Sequence, residues 1–423
     1  MTTVAYIANE FPSPFEPYVI DEVTELRRRG TRVICCSGKR VSPANLSLAE
    51  RAFWKETRYF QPLSDDQLLR AAGRLASTGL HLWPILRPLL WERDASPALR
   101  LRALGHTLMG AALAKELASL DVHHIHAHHG YFAAWMAFTA AQLLDIGYSF
   151  TLHGSDLLRR ADLLSAKLRA CAFCVTISDF NRRHILSNYP STPPEKVIVQ
   201  RLGVDPAVDG VLSWPATAMA EGNGRRFCLL SVGRLHPVKD HRFLIRACAA
   251  LRDQGLNFIC WIVGEGQERS ALERQIAALE LRAHVYLIGH VPRRDLSGYY
   301  RYADLVVMTS QSEGIPVVLM EAMAHGKLVL APAITGIPEL VEHQRTGFLY
   351  EPGSLPDFVS AVRWIQANMA SLTGIKHAAA ATVAASYNRE RNLHSFAEQF
   401  MARLQPSDGD YAHPVLQQVR LSV

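Results

Sequence analysis

Short apolar runs alternate with longer stretches of helical spacing along most of this chain. Val4-Ala5-Tyr6-Ile7-Ala8 is the first run and reads as a strand. Residues 15–29 place Val19, Val23 and Leu26 on one side of a helix, and Gly30 closes it. Residues 31–36 then read as a second strand. A strand, helix, strand opening predicts a parallel, doubly wound sheet. Residues 121–128 and 148–153 supply later strands with short loops. Between 206 and 226 the pattern lapses into Pro, Gly and Ala, from Trp214-Pro215-Ala216 through Glu221-Gly222-Asn223-Gly224. That stretch is the predicted domain boundary. The alternation restarts at residues 227–232 and continues through 258–263 and 303–309. The fold class this predicts is α/β, with two Rossmann-like doubly wound domains over residues 1–205 and 206–388. A last helix is expected over about 389–405, and a polar, loose tail over 406–423.

Residues 65–118 interrupt the alternation. They are helical in pattern and rich in Leu, Ala and Arg, and they include His81-Leu82-Trp83-Pro84-Ile85-Leu86-Arg87-Pro88-Leu89-Leu90-Trp91. Two prolines break this run, and it is too short to span a bilayer. A buried helix pair is the commoner outcome for such a pattern. The other reading is a surface that rests on lipid, with Trp and Arg at the interface.

A chain of 423 residues suggests two or three domains. No stretch approaches the ~20 apolar residues of a membrane span. The start passes directly into a strand, with no basic-then-apolar leader, so a cytoplasmic location or the inner face of the membrane is expected. The formal charge is +6 and uneven: residues 1–205 carry 24 Lys/Arg against 19 Asp/Glu, and the rest 21 against 20. This is too mild for a nucleic-acid partner. It suits an N-terminal half that meets an anionic membrane or an anionic acceptor. The seven cysteines are scattered. Cys171-x2-Cys174 alone has a metal or redox spacing; it lacks a second pair and lies in an apolar run, so its role reads as structural.

Candidate chemistry concentrates in the second half. Glu313 and Glu321 sit eight apart in Ser312-Glu313-Gly314-Ile315-Pro316-Val317-Val318-Leu319-Met320-Glu321. A strand precedes them and a helix follows, with Pro316 near the first turn, where a missing N–H costs least. Glu313 then falls in the strand-to-helix loop and Glu321 one to two turns along the helix. Taken singly, each is more often a solvated residue. Gly314 permits close backbone approach, and the helix start offers N–H groups to an anion. The end of a parallel strand is also where open α/β sheets bind ligands. A matching loop, Gly233-Arg234-Leu235-His236-Pro237-Val238-Lys239-Asp240, follows the strand at 227–232. Arg234 and Lys239 are placed there to hold a diphosphate. The strand at 258–263 ends in Gly264-Glu265-Gly266, half of a dinucleotide fingerprint; the missing third glycine disfavours a dehydrogenase.

These segments, with Gly336-Ile337-Pro338-Glu339-Leu340-Val341 and Gly347-Phe348-Leu349, resemble the retaining GT-B glycosyltransferases of family GT4 over residues 226–352. Phe11-Pro12, Glu16-Pro17-Tyr18-Val19 and Glu22-Val23 resemble the opening of exopolysaccharide and colanic-acid-type members. Leu152-His153-Gly154-Ser155-Asp156 resembles the family's His-Gly-x-Asp segment. The resemblance implies a GT-B architecture, two domains facing across a cleft, with the last helix crossing back onto the first. It implies that a sugar moves from a nucleotide diphosphate sugar to a glycan or lipid-linked oligosaccharide, with retention at the anomeric carbon. Exopolysaccharide or surface polysaccharide biosynthesis is the expected setting. Arg234 and Lys239 would stabilise the departing diphosphate, so no metal or other cofactor is expected. Glu313 would contact the donor sugar, and His153 would steady it from the opposite domain. Gly233, Gly264, Gly314, Ile315 and Pro316 would border the nucleotide sugar, and Glu321 would accept from the ribose hydroxyls.

The chain also departs from the family pattern. Asn9-Glu10-Phe11-Pro12-Ser13-Pro14 stands where many members have a glycine-rich loop, which argues against backbone contact with phosphate there. Gly326-Lys327-Leu328-Val329 lacks a customary proline, a change expected to alter a turn and not the chemistry. His123, His124, His126, His128 and His129 crowd one strand, where alternate residues share a face. No neighbouring Cys or carboxylate completes a zinc site, and the family carries a similar His-x-His without metal, so zinc is disfavoured. Asp408-Gly409-Asp410 matches a metal motif of another glycosyltransferase fold, but lies in the tail and reads as chance. Two other functions stay open: a GT-B epimerase or hydrolase of nucleotide sugars, and a non-catalytic nucleotide-sugar-binding protein. The latter would be expected to lose Arg234, Lys239 or Glu313.

Overall fold

The computed structural model describes residues 1–13, 16–43, 46–92, 96–159, 161–205 and 225–404. Most of the predicted boundary at 206–226 lies outside them, as do Pro14, Phe15 and the tail with Asp408-Gly409-Asp410.

The first domain holds seven parallel strands: β1 (Thr3–Glu10), β2 (Arg32–Lys39), β3 (Arg58–Tyr59), β4 (His124–His128), β5 (Gly147–Leu152), β6 (Phe173–Thr176) and β7 (Val197–Val199), ordered β3-β2-β1-β4-β5-β6-β7. The second holds six: β8 (Phe227–Val232), β9 (Phe258–Val263), β10 (Val285–Gly289), β11 (Leu305–Val307), β12 (Leu328–Pro332) and β13 (Phe348–Tyr350), ordered β10-β9-β8-β11-β12-β13. Both are doubly wound, as the strand-helix alternation predicts. Strand order reverses between β1 and β4 and between β8 and β11, so each domain opens a crevice at the carboxyl ends of those strands.

Strands buried on both faces read as continuous apolar runs. Cys228, Leu229 and Leu230 of β8 and Ile259 to Val263 of β9 are buried. Helix His241–Asp253 lays Phe243, Leu244, Ala247 and Leu251 into the core, and Asp240 caps it by accepting from Phe243 N at 3.1 Å.

The chain crosses between domains at two touching points. Val204 N donates to Tyr387 O at 2.8 Å, and Arg389 N to Val204 O at 3.1 Å. A Cβ on Gly203 would lie 2.6 Å from Arg389 Cα, so only glycine fits this crossing. Helix Arg389–Leu404 then lies on the first domain, with Phe396, Ala397 and Phe400 in one core with Tyr6, Val19 and Phe173.

Residues 65–118 form three main helices, Asp65–Thr78, Trp83–Trp91 and Pro97–Leu117. Part of the segment is buried, as a helix pair would be, and part is exposed. The second half of Pro97–Leu117 packs against helix Phe132–Leu144, where Trp135 Nε1 donates to Thr107 Oγ1 at 2.9 Å. The other side is open: of ten large apolar side chains exposed among the described residues, seven lie between Leu68 and Leu104. No described helix is long and apolar enough to cross a membrane.

Candidate active site

The loops after β8 and β11 meet at the switch point of the second sheet. A short turn at Pro237–Lys239, ending at Asp240 with φ +46°, directs Lys239 toward Glu313. Lys239 Nζ stands 2.5 Å from Glu313 Oε1, with both side chains mostly shielded from solvent. Gln311 N donates to Val238 O at 2.8 Å and Thr309 Oγ1 to Lys239 O at 2.9 Å, which straps the two loops together. Thr335 Oγ1 donates to Glu313 O at 2.6 Å and holds the loop from behind. Lys239 is thus paired with a carboxylate; burial opposes the charge of Glu16 in the first domain, and His129, His128 and the guanidinium of exposed Arg234 lower its pKa.

Glu321 projects from helix Val317–Ala324, whose N-cap is Pro316. Arg293 Nε donates to its Oε1 at 3.1 Å and Tyr300 OH to its Oε2 at 2.9 Å. Burial, then the Glu321 charge, pushes the Tyr300 hydroxyl well above its usual pKa, so it stays a donor.

Three glycines here have separate explanations. A Cβ on Gly264 would fall 1.9 Å from Gly233 O, so its absence lets the β9 loop pack under the β8 loop. A Cβ on Gly314 would fall 2.1 Å from His153 O, in the other domain. A Cβ on Gly233 would meet nothing closer than Lys239 Cε at 3.6 Å. Packing of the chain therefore does not require glycine at 233.

The first domain supplies the opposite wall. Gly154 takes φ +139° and its Cβ would meet Gly314 N at 2.8 Å, so the domains touch here through two glycines. Buried Asp156 accepts from His153 N at 3.0 Å, Gly154 N at 2.8 Å and Gly130 N at 2.8 Å, joining the β5 loop to the β4 loop. Buried Lys167 donates to Gly130 O, and burial draws its pKa down to about 7. His129 stands 2.8 Å from Glu16 and 3.5 Å from Asp156. Burial opposes its charge, but the two carboxylates outweigh burial and raise it to about 10. His153 is held well below its usual pKa by burial, then by the neighbouring imidazoles of His129 and His128.

The strand histidines need one correction. A carboxylate does reach them: Glu22 comes from helix Pro17–Arg28, over a hundred residues away, and lies 3.0 Å from His128 Nε2. Glu22, His126 and His128 have metal-holding spacing. However, His126 Nδ1 and Nε2 are bonded to Ser149 Oγ at 2.8 Å and Thr151 Oγ1 at 3.0 Å, so this face is a satisfied hydrogen-bond network. The seven cysteines are free and buried, and burial lifts the Cys171 thiol to about 12, which fits a structural role. In the β1 loop, Phe11 N donates to Ser37 Oγ at 2.9 Å, so that group is already used.

Sequence reasoning missed Arg293 and Tyr300, and the parts played by Glu16, Glu22 and Glu339, which it named only within family segments. Glu339 accepts from Asp179 N at 3.0 Å and from Phe180 N, at the start of helix Asp179–Asn188 across the domain boundary. Ser178-Asp179 signals that helix start, but nothing local signals the partner.

Residues 15–208 match the sequence family described as Glycosyltransferase Family 4, and residues 220–381 match Glycosyl transferases group 1. Relatives include an amylovoran biosynthesis glycosyltransferase of Erwinia amylovora, 29% identical over 60% of this chain and 68% of that protein. A putative colanic acid biosynthesis glycosyltransferase of Salmonella typhimurium is 27% identical over 82% of this chain and 86% of its own. Among solved structures, HepE of Anabaena in complex with UDP and glucose superposes with a TM-score of 0.68 at 17% identity, covering 95% of this chain and all of that one. Sucrose-phosphate synthase of Thermosynechococcus elongatus gives 0.72 at 18% identity, covering 95% of this chain and 99% of its own. These likenesses carry the GT-B fold, two Rossmann-like domains about a cleft.

Proposed function

We propose that this chain, which belongs to the family 4 glycosyltransferases, moves a sugar from a nucleotide diphosphate sugar to a glycan or lipid-linked acceptor, with retention at the anomeric carbon. The observation that carries this reading is the Lys239–Glu313 pair at the β8/β11 switch point, beside a glycine that the packing of the chain does not itself require. When the bond from the anomeric carbon to the diphosphate oxygen breaks, negative charge grows on the diphosphate. Arg234 and Lys239 offset it, so the reaction needs no metal. The acceptor hydroxyl oxygen bonds to the anomeric carbon, and its proton passes to the leaving diphosphate on the same face. Glu313 orients the donor sugar, and Glu321, held by Arg293 and Tyr300, accepts from the ribose. The Gly154–Gly314 contact excludes water behind the sugar, which favours transfer over hydrolysis. The relatives named for amylovoran and colanic acid biosynthesis support a role in making an exopolysaccharide.

The acceptor side faces an anionic membrane through the apolar surface between Leu68 and Leu104. Exposed Leu69, Trp83, Leu90, Trp91 and Leu101 stand there with exposed Arg70, Arg74, Arg87 and Arg102, an apolar and cationic mix that suits anionic headgroups. The test of the main reading is nucleotide diphosphate release from a panel of nucleotide sugars, with EDTA and with or without lipid extract. Release from one donor, raised by lipid extract, is expected. Release that is equal without acceptor would make the protein a hydrolase, and tight donor binding without turnover a binding protein.

A further inference from the structure

A line of hydrogen bonds runs from the interior of the first domain to the cleft. Tyr6 OH donates to Glu22 Oε2 at 3.0 Å, and His128 Nε2 lies 3.0 Å from the same oxygen. His128 Nδ1 lies 3.2 Å from His153 Nε2. Glu22 and His128 are buried. His153 Nδ1 is buried with no hydrogen-bond partner. The line therefore ends on an unsatisfied nitrogen, in the residue whose carbonyl touches Gly314.

We infer that Glu22 and His128 are positioning residues that fix the tautomer of His153 and leave its Nδ1 a bare acceptor for one hydroxyl of the donor sugar. The argument rests on donor and acceptor capacity. An ionised carboxylate only accepts, so His128 Nε2 must carry the proton it shares with Glu22. A neutral His128 then has Nδ1 free to accept, and His153 Nε2–H donates to it. A neutral His153 with its proton on Nε2 has no proton on Nδ1. The reverse order needs a charged His128, which would put a second imidazolium beside the His153 ring, whose centroid is 4.6 Å from that of charged His129. An unpaired buried acceptor is costly, and a sugar hydroxyl is the donor that the closed site lacks. Tyr18, tilted by 33° against His153 with centroids 4.7 Å apart, packs on the ring. This rests on the sugar-transfer reading for the identity of the hydroxyl, but not for the tautomer.

The first arm of the test is NMR on the full chain with 15N/13C-labelled histidine, His153 signals being assigned by their loss in His153→Gln. The expected result is a pyrrole-type Nε2 and a pyridine-type Nδ1, with scalar coupling across the hydrogen bond to His128 Nδ1. A proton on His153 Nδ1, or no coupling to His128, overturns the inference. The second arm is kinetic, on His128→Phe, His153→Phe and the double variant, each checked by thermal melting. The expected result is a donor KM raised about tenfold, the scale of one lost hydrogen bond, with kcat changed less. The double variant should be no worse than His153→Phe. Wild type should discriminate against a donor lacking one particular hydroxyl, and His128→Phe should not. Fully additive losses, or unchanged discrimination, overturn it. A chain that shows the tautomer and the coupling but turns over no donor would instead remove the transferase reading.

Discussion

Lys239 Nζ and Glu313 Oε1 are 2.5 Å apart, yet they belong to loops after two neighbouring strands, β8 and β11. The ion pair closes the switch point of the second sheet in the free chain. On the proposed reading, a diphosphate entering beside Gly233 would share Lys239 with Glu313 and bring the Glu313 carboxylate to the sugar. Charge stabilisation of the leaving group and orientation of the sugar would then be coupled through one contact.

Removing either partner should cost turnover without unfolding the domain, because the pair lies at a loop junction and not in the core. Lys239→Ala and Glu313→Gln are each expected to lower kcat by about 10² to 10³, the range for deleting one preorganised electrostatic group. Their losses should not add, since each variant already breaks the pair. Nucleotide diphosphate release measures this, and strictly additive losses would contradict the coupling.

Gly233 and Gly264 are neighbours in space with opposite expected behaviour. Gly233→Ala meets only the Lys239 side chain at 3.6 Å, so its melting temperature should stay near wild type while donor affinity falls at least tenfold. Gly264→Ala drives a methyl into the Gly233 carbonyl from a backbone at φ +145°, so it should be strongly destabilising. Thermal melting and donor titration on both variants check the pair. A Gly233→Ala protein with normal donor affinity would remove the argument that a ligand occupies that space.

Much of this was legible in the chain because the signals are local. Continuous apolar runs ending in glycine marked β8 and β9, and their alternation with amphipathic segments such as Phe243 to Leu251 marked the winding. Glu313, Lys239 and Glu321 stood out by position after strands. Their partners did not, because Arg293 and Tyr300 approach Glu321 from a separate helix-turn segment. Glu22 meets His128 across 106 positions, and Glu339 meets Asp179 across 160. Such contacts exist only once the sheets have formed, so no window of sequence displays them.

Closure between the domains depends on the absence of two side chains. Gly314→Ala would place a methyl 2.1 Å from His153 O and 2.5 Å from Ile177 Cδ1, both in the facing domain. The second domain by itself tolerates this, so the expected outcome is a protein that folds but stays open. Small-angle scattering should show a larger radius of gyration than wild type, and the ratio of donor hydrolysis to transfer should rise. An unchanged radius with unchanged transfer would mean that the contact is not needed for closure.

The Glu16–His129–Asp156 cluster gives the first domain a defined response to pH. His129 moves from 6.5 up to about 10 on folding, so its stabilisation is complete below about 6.5 and fades as pH rises through about 10. Asp156 and Glu16 are depressed; for both, burial works against the shift, and His129 is the main cause of it. Their contributions are present above their ordinary values, near 4, and fade as pH falls. Melting temperature should therefore decline between pH 7 and 10.5 in wild type, and less steeply in His129→Gln, which should be the less stable protein at pH 7. Parallel curves for the two proteins would show that His129 carries no linked proton.

The exposed face between Leu68 and Leu104 makes its own demand. Trp83 and Trp91 stand at the two ends of one short helix with ring centroids 5.3 Å apart, and Leu101 on the next helix is 72% exposed. So much apolar surface facing water costs solubility unless a partner covers it. With Arg87 and Arg102 exposed on these helices and Arg74 on the helix before them, the proposed partner is an anionic lipid surface. The protein should sediment with vesicles containing phosphatidylglycerol and much less with phosphatidylcholine alone, and salt should weaken the binding. Trp91→Ser with Leu101→Ser should reduce it at least thirtyfold, because burying even one such side chain is worth about 2 kcal/mol. Donor turnover measured without lipid should not change, since neither residue lies near the β8/β11 crevice. Binding indifferent to these substitutions would remove the membrane assignment, and a concentration-dependent dimer lost in the same variant would give the face to a second copy of the chain.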